Sequence, residues 1–283
     1  MEKAIKKYWP IFVLPTLAAF SIGFIYPFLQ GLYLSFCKFI TIDNATWNGV
    51  KNYLYAFTDE AFLHSFFFSA GFTIVSTLLI NVTAFAIALA LTRNIKGTNL
   101  FRSVYFLPNL IGGIVLGYIW QILINCALAL LEKPLLAVNP TFGFWGLIIL
   151  MCWQQIGYMM IIYIAGLQSI PSDYLEAARI DGANEWQILT KVKIPNVMPS
   201  ITICLFLSVT NGFKLFDQNL ALTAGEPGHM TEGLALNIYD TFYGRVGPQW
   251  KGYGQAKAVI FCVLVIVISL IQLRATRSKD VQQ

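Results

Sequence analysis

Six long apolar runs organise the chain, at residues 9–36, 66–91, 103–124, 142–169, 197–222 and 256–273, with short polar segments between them. An α-helix needs about 20 residues to cross a hydrocarbon core of about 30 Å, and each run meets or approaches that length. Inside lipid, backbone N–H and C=O groups must bond within their own segment, so runs this long are expected as helices. The expected fold class is an all-α integral membrane protein with six transmembrane helices in one domain over residues 1–283.

Composition agrees with lipid as the main solvent. The chain is 57% hydrophobic and 12% charged, against about 25% charged residues in a soluble globular chain, and its mean hydropathy is +0.64. The net charge of +5 is scattered in short loops and forms no continuous stripe, which argues against a nucleic-acid partner. Cys37, Cys126, Cys152, Cys204 and Cys262 are single and widely spaced, so neither a metal site nor a disulfide framework is indicated. The first run lies behind a basic flank as in a signal peptide, but it is too long for a signal core and is expected to stay as the first helix.

Lys and Arg set the expected orientation through the positive-inside rule. With both termini in the cytoplasm of a bacterium, twelve of the nineteen lie in inner segments, among them Lys3, Lys6, Lys7, Arg93, Lys96, Arg179, Lys191, Lys193 and Lys279. The other seven, Lys38, Lys51, Lys133, Lys214, Arg245, Lys251 and Lys257, fall in outer loops or at outer helix ends. Tyr8 and Trp9 before the first run, and Trp250 and Tyr253 before the last, suit membrane interfaces. The expected location is the bacterial inner membrane, with lipid as a partner.

The loop at 171–195 differs from the others. Asp173 and Glu176 make a plausible capping box, and Gly182 suits a left-handed helix end. Asn184 can cap a second short helix, in which Trp186, Leu189 and Val192 recur at three-residue spacing before Pro195 stops it. On periodicity alone, this helix-turn-helix on the inner face is as readily a spacer as a docking element.

The string Glu176-Ala177-Ala178, Gly182 six residues after Glu176, and Ile194-Pro195 together resemble the EAA loop of permease subunits in binding-protein-dependent ABC importers. A second stretch, 213–227 with Thr231-Glu232 and Leu236 to Tyr239, is similar to the matching part of multiple-sugar and maltose-type permeases, although Glu226 stands where a Gly is usual. The resemblance implies a type I importer permease fold in which the first loop helix couples to a separate ATPase. Carried over, Glu176 is the anchor, Ala177 and Ala178 allow close approach, Gly182 sets the bend, and Asp181, Ile194 and Pro195 complete the element. Completing the capping box remains the other reading of Glu176.

No phosphate-cradling Gly-x-x-x-x-Gly-Lys-Ser/Thr occurs. No cofactor is therefore expected on this chain, and ATP and Mg belong to the ATPase partner. The resemblance also implies an ATPase dimer, a second homologous permease subunit and an extracellular substrate-binding protein. His64 and His229 lie far apart, so no metal site and no catalytic site are expected.

Polar groups inside apolar runs are costly and mark candidate solute contacts. They are Asn109, Trp120 and Gln121 in the third run, Trp153, Gln154, Gln155 and Tyr158 in the fourth, and Asn211, Lys214, Asp217, Gln218 and Asn219 in the fifth. Amides for hydroxyls and aromatics for C–H faces suit a carbohydrate; helix-to-helix bonding is the competing role for each. Lys214 and Asp217, three apart, could share a helical face as an ion pair. The remaining alternatives are a gradient-driven carrier using Asp217, a membrane scaffold, and an importer for a polyol, glycerol-phosphate or amino acid.

Overall fold

The computed structural model describes residues 11, 13–93 and 96–277. Tyr8, Trp9, Lys3, Lys6, Lys7 and Lys279 lie outside the described residues. The chain divides into two compact units: one contains residues up to Asp59 with Ile238–Cys262, the other Glu60–Asn237 with the chain from Val263 onward.

The first unit begins with α1, Val13–Leu34, whose apolar side chains are nearly all exposed, as lipid contact requires. A two-residue hairpin follows, with β1 (Cys37–Lys38) antiparallel to β2 (Thr46–Trp47) in the register Cys37 opposite Trp47. Next comes α2, Lys51–Thr58. Buried Asn52 fastens this cap by donating to the carbonyls of Ser35 and Cys37 at 2.8 and 2.9 Å.

The second unit holds α3 (Glu60–Leu91), α4 (Thr98–Phe106), α5 (Gly113–Leu130), α6 (Pro140–Gln168), α7 (Ser172–Ile180), α8 (Glu185–Asn196), α9 (Met198–Phe213) and α10 (Asp217–Leu222). A further helix, α11, occupies Leu234–Tyr239, and α12, Pro248–Arg277, starts in the first unit and ends in the second. α6 is the centre of the second unit: α3, α4, α9 and α10 all pack on it. Without a hydrophobic drive between helices in lipid, such packing relies on small residues and interhelical hydrogen bonds. At Gly157 of α6 an added Cβ would fall 1.7 Å from the Tyr105 carbonyl oxygen of α4. Polar bonding comes from Asn81 on α3, which donates to Ser208 Oγ on α9 at 2.9 Å and accepts from the Tyr163 hydroxyl on α6 at 2.7 Å.

Among the described residues, five helices are long and apolar enough to cross a membrane, and α8 with α9 makes a sixth if that pair, bent by 70°, is counted as one span. Several boundaries differ from those expected, α3 among them, which begins at Glu60 rather than at 66. The run 103–124 is divided, because Pro108 lies in a 3-10 turn over Leu107–Leu110 and Ile111 is extended; the span proper is α5. The run 197–222 breaks at Phe216, whose backbone (φ −129°, ψ −65°) is not helical. The last helix begins at Pro248, eight residues before the apolar run, because Trp250, Lys251 and Gly252 continue it despite their polarity.

Candidate functional site

The segment 171–195 forms two helices joined by a sharp turn. α7 ends in a Schellman motif: the Ala183 N–H bonds the Ala178 carbonyl at 2.9 Å and the Gly182 N–H bonds that of Arg179 at 3.1 Å. Gly182 takes φ +79°, a conformation that L side chains adopt only under strain. The expected capping box at Asp173 and Glu176 is absent. Pro171 occupies the cap position with no side-chain bond, and Asp173 falls inside the first turn, near the helix N-terminus that its charge favours. Glu176 is thereby released from a capping role and stands exposed, as does Ala177.

The capping box lies instead on α8, where Asn184 Oδ1 accepts from the Gln187 N–H and Gln187 Oε1 accepts from the Asn184 N–H, both at 2.8 Å. The helix beyond does not keep three-residue spacing. Wide π turns over Ile188–Lys193 rotate the faces, so that Ile188 is buried while Trp186 is 71% exposed. Pro195 does not stop the helix, which runs on to Asn196; the wide turns ahead of it accommodate the missing N–H, and the bend comes at Val197. Arg179 and Glu185 form an ion pair at 3.5 Å across the turn. The result is a pair of short helices presenting Tyr174, Glu176, Ile180 and Trp186 outward, with Ile180 86% exposed. Asp181 caps the end of α7, and Ile194 and Pro195 are half-buried at the approach to α9.

Several of the candidate solute contacts gather around the middle of α6. Gln218 Nε2 donates to Gln154 Oε1 at 2.7 Å, and Gln154 Nε2 donates to the Ile111 carbonyl at 3.2 Å, which the break before α5 leaves without a helical partner. Asn211 donates to Gln155 at 3.2 Å, and the Trp120 and Trp153 rings meet edge to face at 5.4 Å. Tyr158 lies half-buried one turn along, and Asn109 is half-buried in the turn before α5.

Other candidates have structural partners. Asn219 is fully buried and ties the loop after α10, donating to the Thr231 carbonyl at 2.8 Å and accepting from the Gly233 N–H at 2.7 Å. Gln121 donates to the Leu222 carbonyl at 3.0 Å, joining α5 to α10. Lys214 and Asp217 form no ion pair among the described residues: the break at Phe216 puts Lys214 at the end of α9 and Asp217 at the start of α10, both exposed.

Two polar pairs escaped the sequence reading. Asn81, the amide amid the apolar run of α3, was signalled by the same rule that singled out the other intramembrane amides. The buried pair of Lys257 and Asp59, 2.8 Å apart, had no such signal, because Lys257 read as an outer-loop charge.

Residues 82–279 match the family described as binding-protein-dependent transport system inner membrane component. The chain is 41% identical over 283 residues to a probable starch degradation products transport system permease protein, AmyD, of Thermoanaerobacterium thermosulfurigenes, with 97% of this chain and 95% of that protein covered. It is 31% identical over 296 residues to the multiple sugar-binding transport system permease protein MsmF of Streptococcus mutans, covering 99% of each. In fold it is similar to a chain of a bacterial alginate ABC transporter crystallised with its alginate pentasaccharide-bound periplasmic protein, with a TM-score of 0.80, 20% identity, and coverage of 99% of this chain and 98% of that one. The chain belongs to the family of binding-protein-dependent transport system inner membrane components and is an inner-membrane permease of an ABC importer.

Proposed function

We propose that this permease carries an oligosaccharide inward, driven by a separate ATPase that docks on α7 and the start of α8. The observation that carries the coupling is the outward face of Tyr174, Glu176, Ile180 and Trp186, held at a fixed angle by the Schellman turn at Gly182. Apolar side chains this exposed at the end of a rigid two-helix element suit a protein partner. Glu176 supplies a charge that aligns the dock, and Ala177 and Ala178 let a partner approach the helix backbone. Asp181, Ile194 and Pro195 set the ends of the element. The ATP and Mg belong to that partner. An ATPase dimer offers two sockets to this chain's one segment, so a second homologous permease completes the assembly.

The substrate class rests on the relatives with starch-product and multiple-sugar names and on the amide and aromatic cluster at Trp120, Trp153, Gln154, Gln155, Asn211 and Gln218. An extracellular binding protein delivers the sugar, as the alginate neighbour's crystallised partner suggests. Both termini, α7 and α8 are cytoplasmic on the positive-inside argument.

The test is reconstitution of the complete importer in liposomes with its binding protein and a panel of maltooligosaccharides, arabinooligosaccharides, polyols and amino acids. ATP-dependent uptake of an oligosaccharide is the expected result. Uptake driven by a proton gradient without the ATPase, or of a non-carbohydrate only, would refute the reading.

A further inference from the structure

Beside the coupling element, Thr92, Arg93, Leu175, Arg179, Glu185 and Lys193 line a cavity of about 480 Å³. Its charge is unbalanced, with three cations to one carboxylate. Glu185 is engaged by Arg179 at 3.5 Å, while Arg93 and Lys193 have no acidic partner among the described residues. A fold that gathers like charges without compensation pays in repulsion unless an anion joins them.

The position narrows the anion. Arg93 lies two residues beyond the end of α3, Lys193 stands just before the bend into α9, and α7 follows the end of α6 by a short link. The cavity thus brings together residues from three segments that adjoin span ends, and on the positive-inside argument these lie on the cytoplasmic side. Basic pockets on that side face phospholipid headgroups, and clustered cations there are attracted to an anionic lipid surface. Leu175 gives the pocket an apolar wall beside the charges, as a lipid requires and a free inorganic anion does not.

We propose that this cavity binds the phosphate headgroup of an anionic phospholipid and thereby ties the coupling element to the end of α3. The proposal rests on the cytoplasmic assignment of α7 and α8. Bound there, the lipid bridges Arg93 on one side and Arg179 and Lys193 on the other, so it holds the docking helix against the span core.

The test uses the whole importer in nanodiscs of phosphatidylcholine alone or of an equal mixture with phosphatidylglycerol. The wild-type complex should retain phosphatidylglycerol on extraction, read by native mass spectrometry, and its binding-protein-stimulated ATPase should be at least threefold higher in the mixture. Arg93→Gln with Lys193→Gln should lose both the retained lipid and the response, whereas Arg93→Lys with Lys193→Arg should keep both. Retention of lipid by the Gln variant at the wild-type level would overturn the proposal. So would an ATPase loss of equal size in both membranes, which would assign the cations to an acidic surface of the ATPase. Lipid retention needs no turnover, so its failure is separable from failure of the ATP-coupled reading, which the uptake assay tests alone.

Discussion

Lys257 Nζ and Asp59 Oδ2 lie 2.8 Å apart, with the lysine side chain wholly buried and the carboxylate 19% exposed. The Tyr253 hydroxyl donates to the same carboxylate oxygen at 2.6 Å, and Lys257 also reaches Thr241 Oγ1 at 3.0 Å. Removing one partner of a buried pair leaves an uncompensated charge and costs about 3–5 kcal/mol, whereas replacing both can be neutral. Lys257→Met should therefore sharply reduce yield of folded protein, measured by size-exclusion chromatography in detergent. Lys257→Met with Asp59→Asn should recover much of it, since an amide still accepts from Tyr253; a double variant no better than the single one would contradict this account.

Gly182 separates backbone strain from partner contact. An added Cβ there would meet nothing within 4 Å, so Gly182→Ala pays only for φ +79°, at about 1 kcal/mol. Gly182→Asn, whose side chain tolerates the left-handed region, should be milder. Gly182→Trp carries the same backbone strain and its Cβ enters open space, so a loss of stimulated ATPase beyond that of Gly182→Ala, with the folded yield unchanged, reports a docked partner. The expected loss is at least tenfold; equal activities in the Ala and Trp variants would remove the coupling role.

Gly157 presents the opposite case. The clash at 1.7 Å is with backbone, which cannot rotate away as a side-chain tip could. Gly157→Ala should cost about 3 kcal/mol or more by overpacking and abolish stable expression. Gly71→Ala, where an added Cβ meets nothing within 4 Å, is the matched control and should express normally.

Trp153 and Gln155 divide from Asn219 by their environment. Trp153 is 42% exposed, and Gln155 has one partner at 3.2 Å, so Trp153→Ala and Gln155→Leu should leave folding intact while lowering uptake several-fold. Asn219 satisfies buried backbone groups, and Asn219→Ala leaves them unpaired at about 1–3 kcal/mol each. It should lower thermal stability by several degrees, read by aggregation temperature in detergent. Loss of uptake in all three variants with equal loss of stability would argue against a solute path here.

The elements of the fold were legible where one physical rule governs. Hydropathy located the spans because lipid demands long apolar helices, and Gly182 announced its turn because few other residues take that conformation. The breaks at Ile111 and Phe216 were not legible. Each lies within apolar sequence, and what sustains the first is a tertiary bond from Gln154 to the freed carbonyl. The Asp173 and Glu176 pattern misled because Pro171 starts the helix two residues before Asp173, leaving no capping position for it. Three-residue spacing failed for Trp186, Leu189 and Val192 because π turns change the period. Among the candidate solute contacts, residue types were readable but the partner of each amide was not: Gln121 and Asn219 bond backbone carbonyls, while Gln155 and Asn211 bond each other at the middle of α6.

The 70° bend at Val197 gives the proposed coupling element a mechanical consequence. Because α8 meets α9 at so steep an angle, a thrust along α8 reaches α9 mostly as a sideways swing. On the proposed coupling, the joint would act as a bell crank, with buried Val197 at the elbow and the Cys204 to Met159 and Asn81 to Ser208 bonds as polar tethers on the swinging arm. A straight helix through this point would transmit the same push as a piston, sliding α9 along its neighbours and leaving the opening between them unchanged.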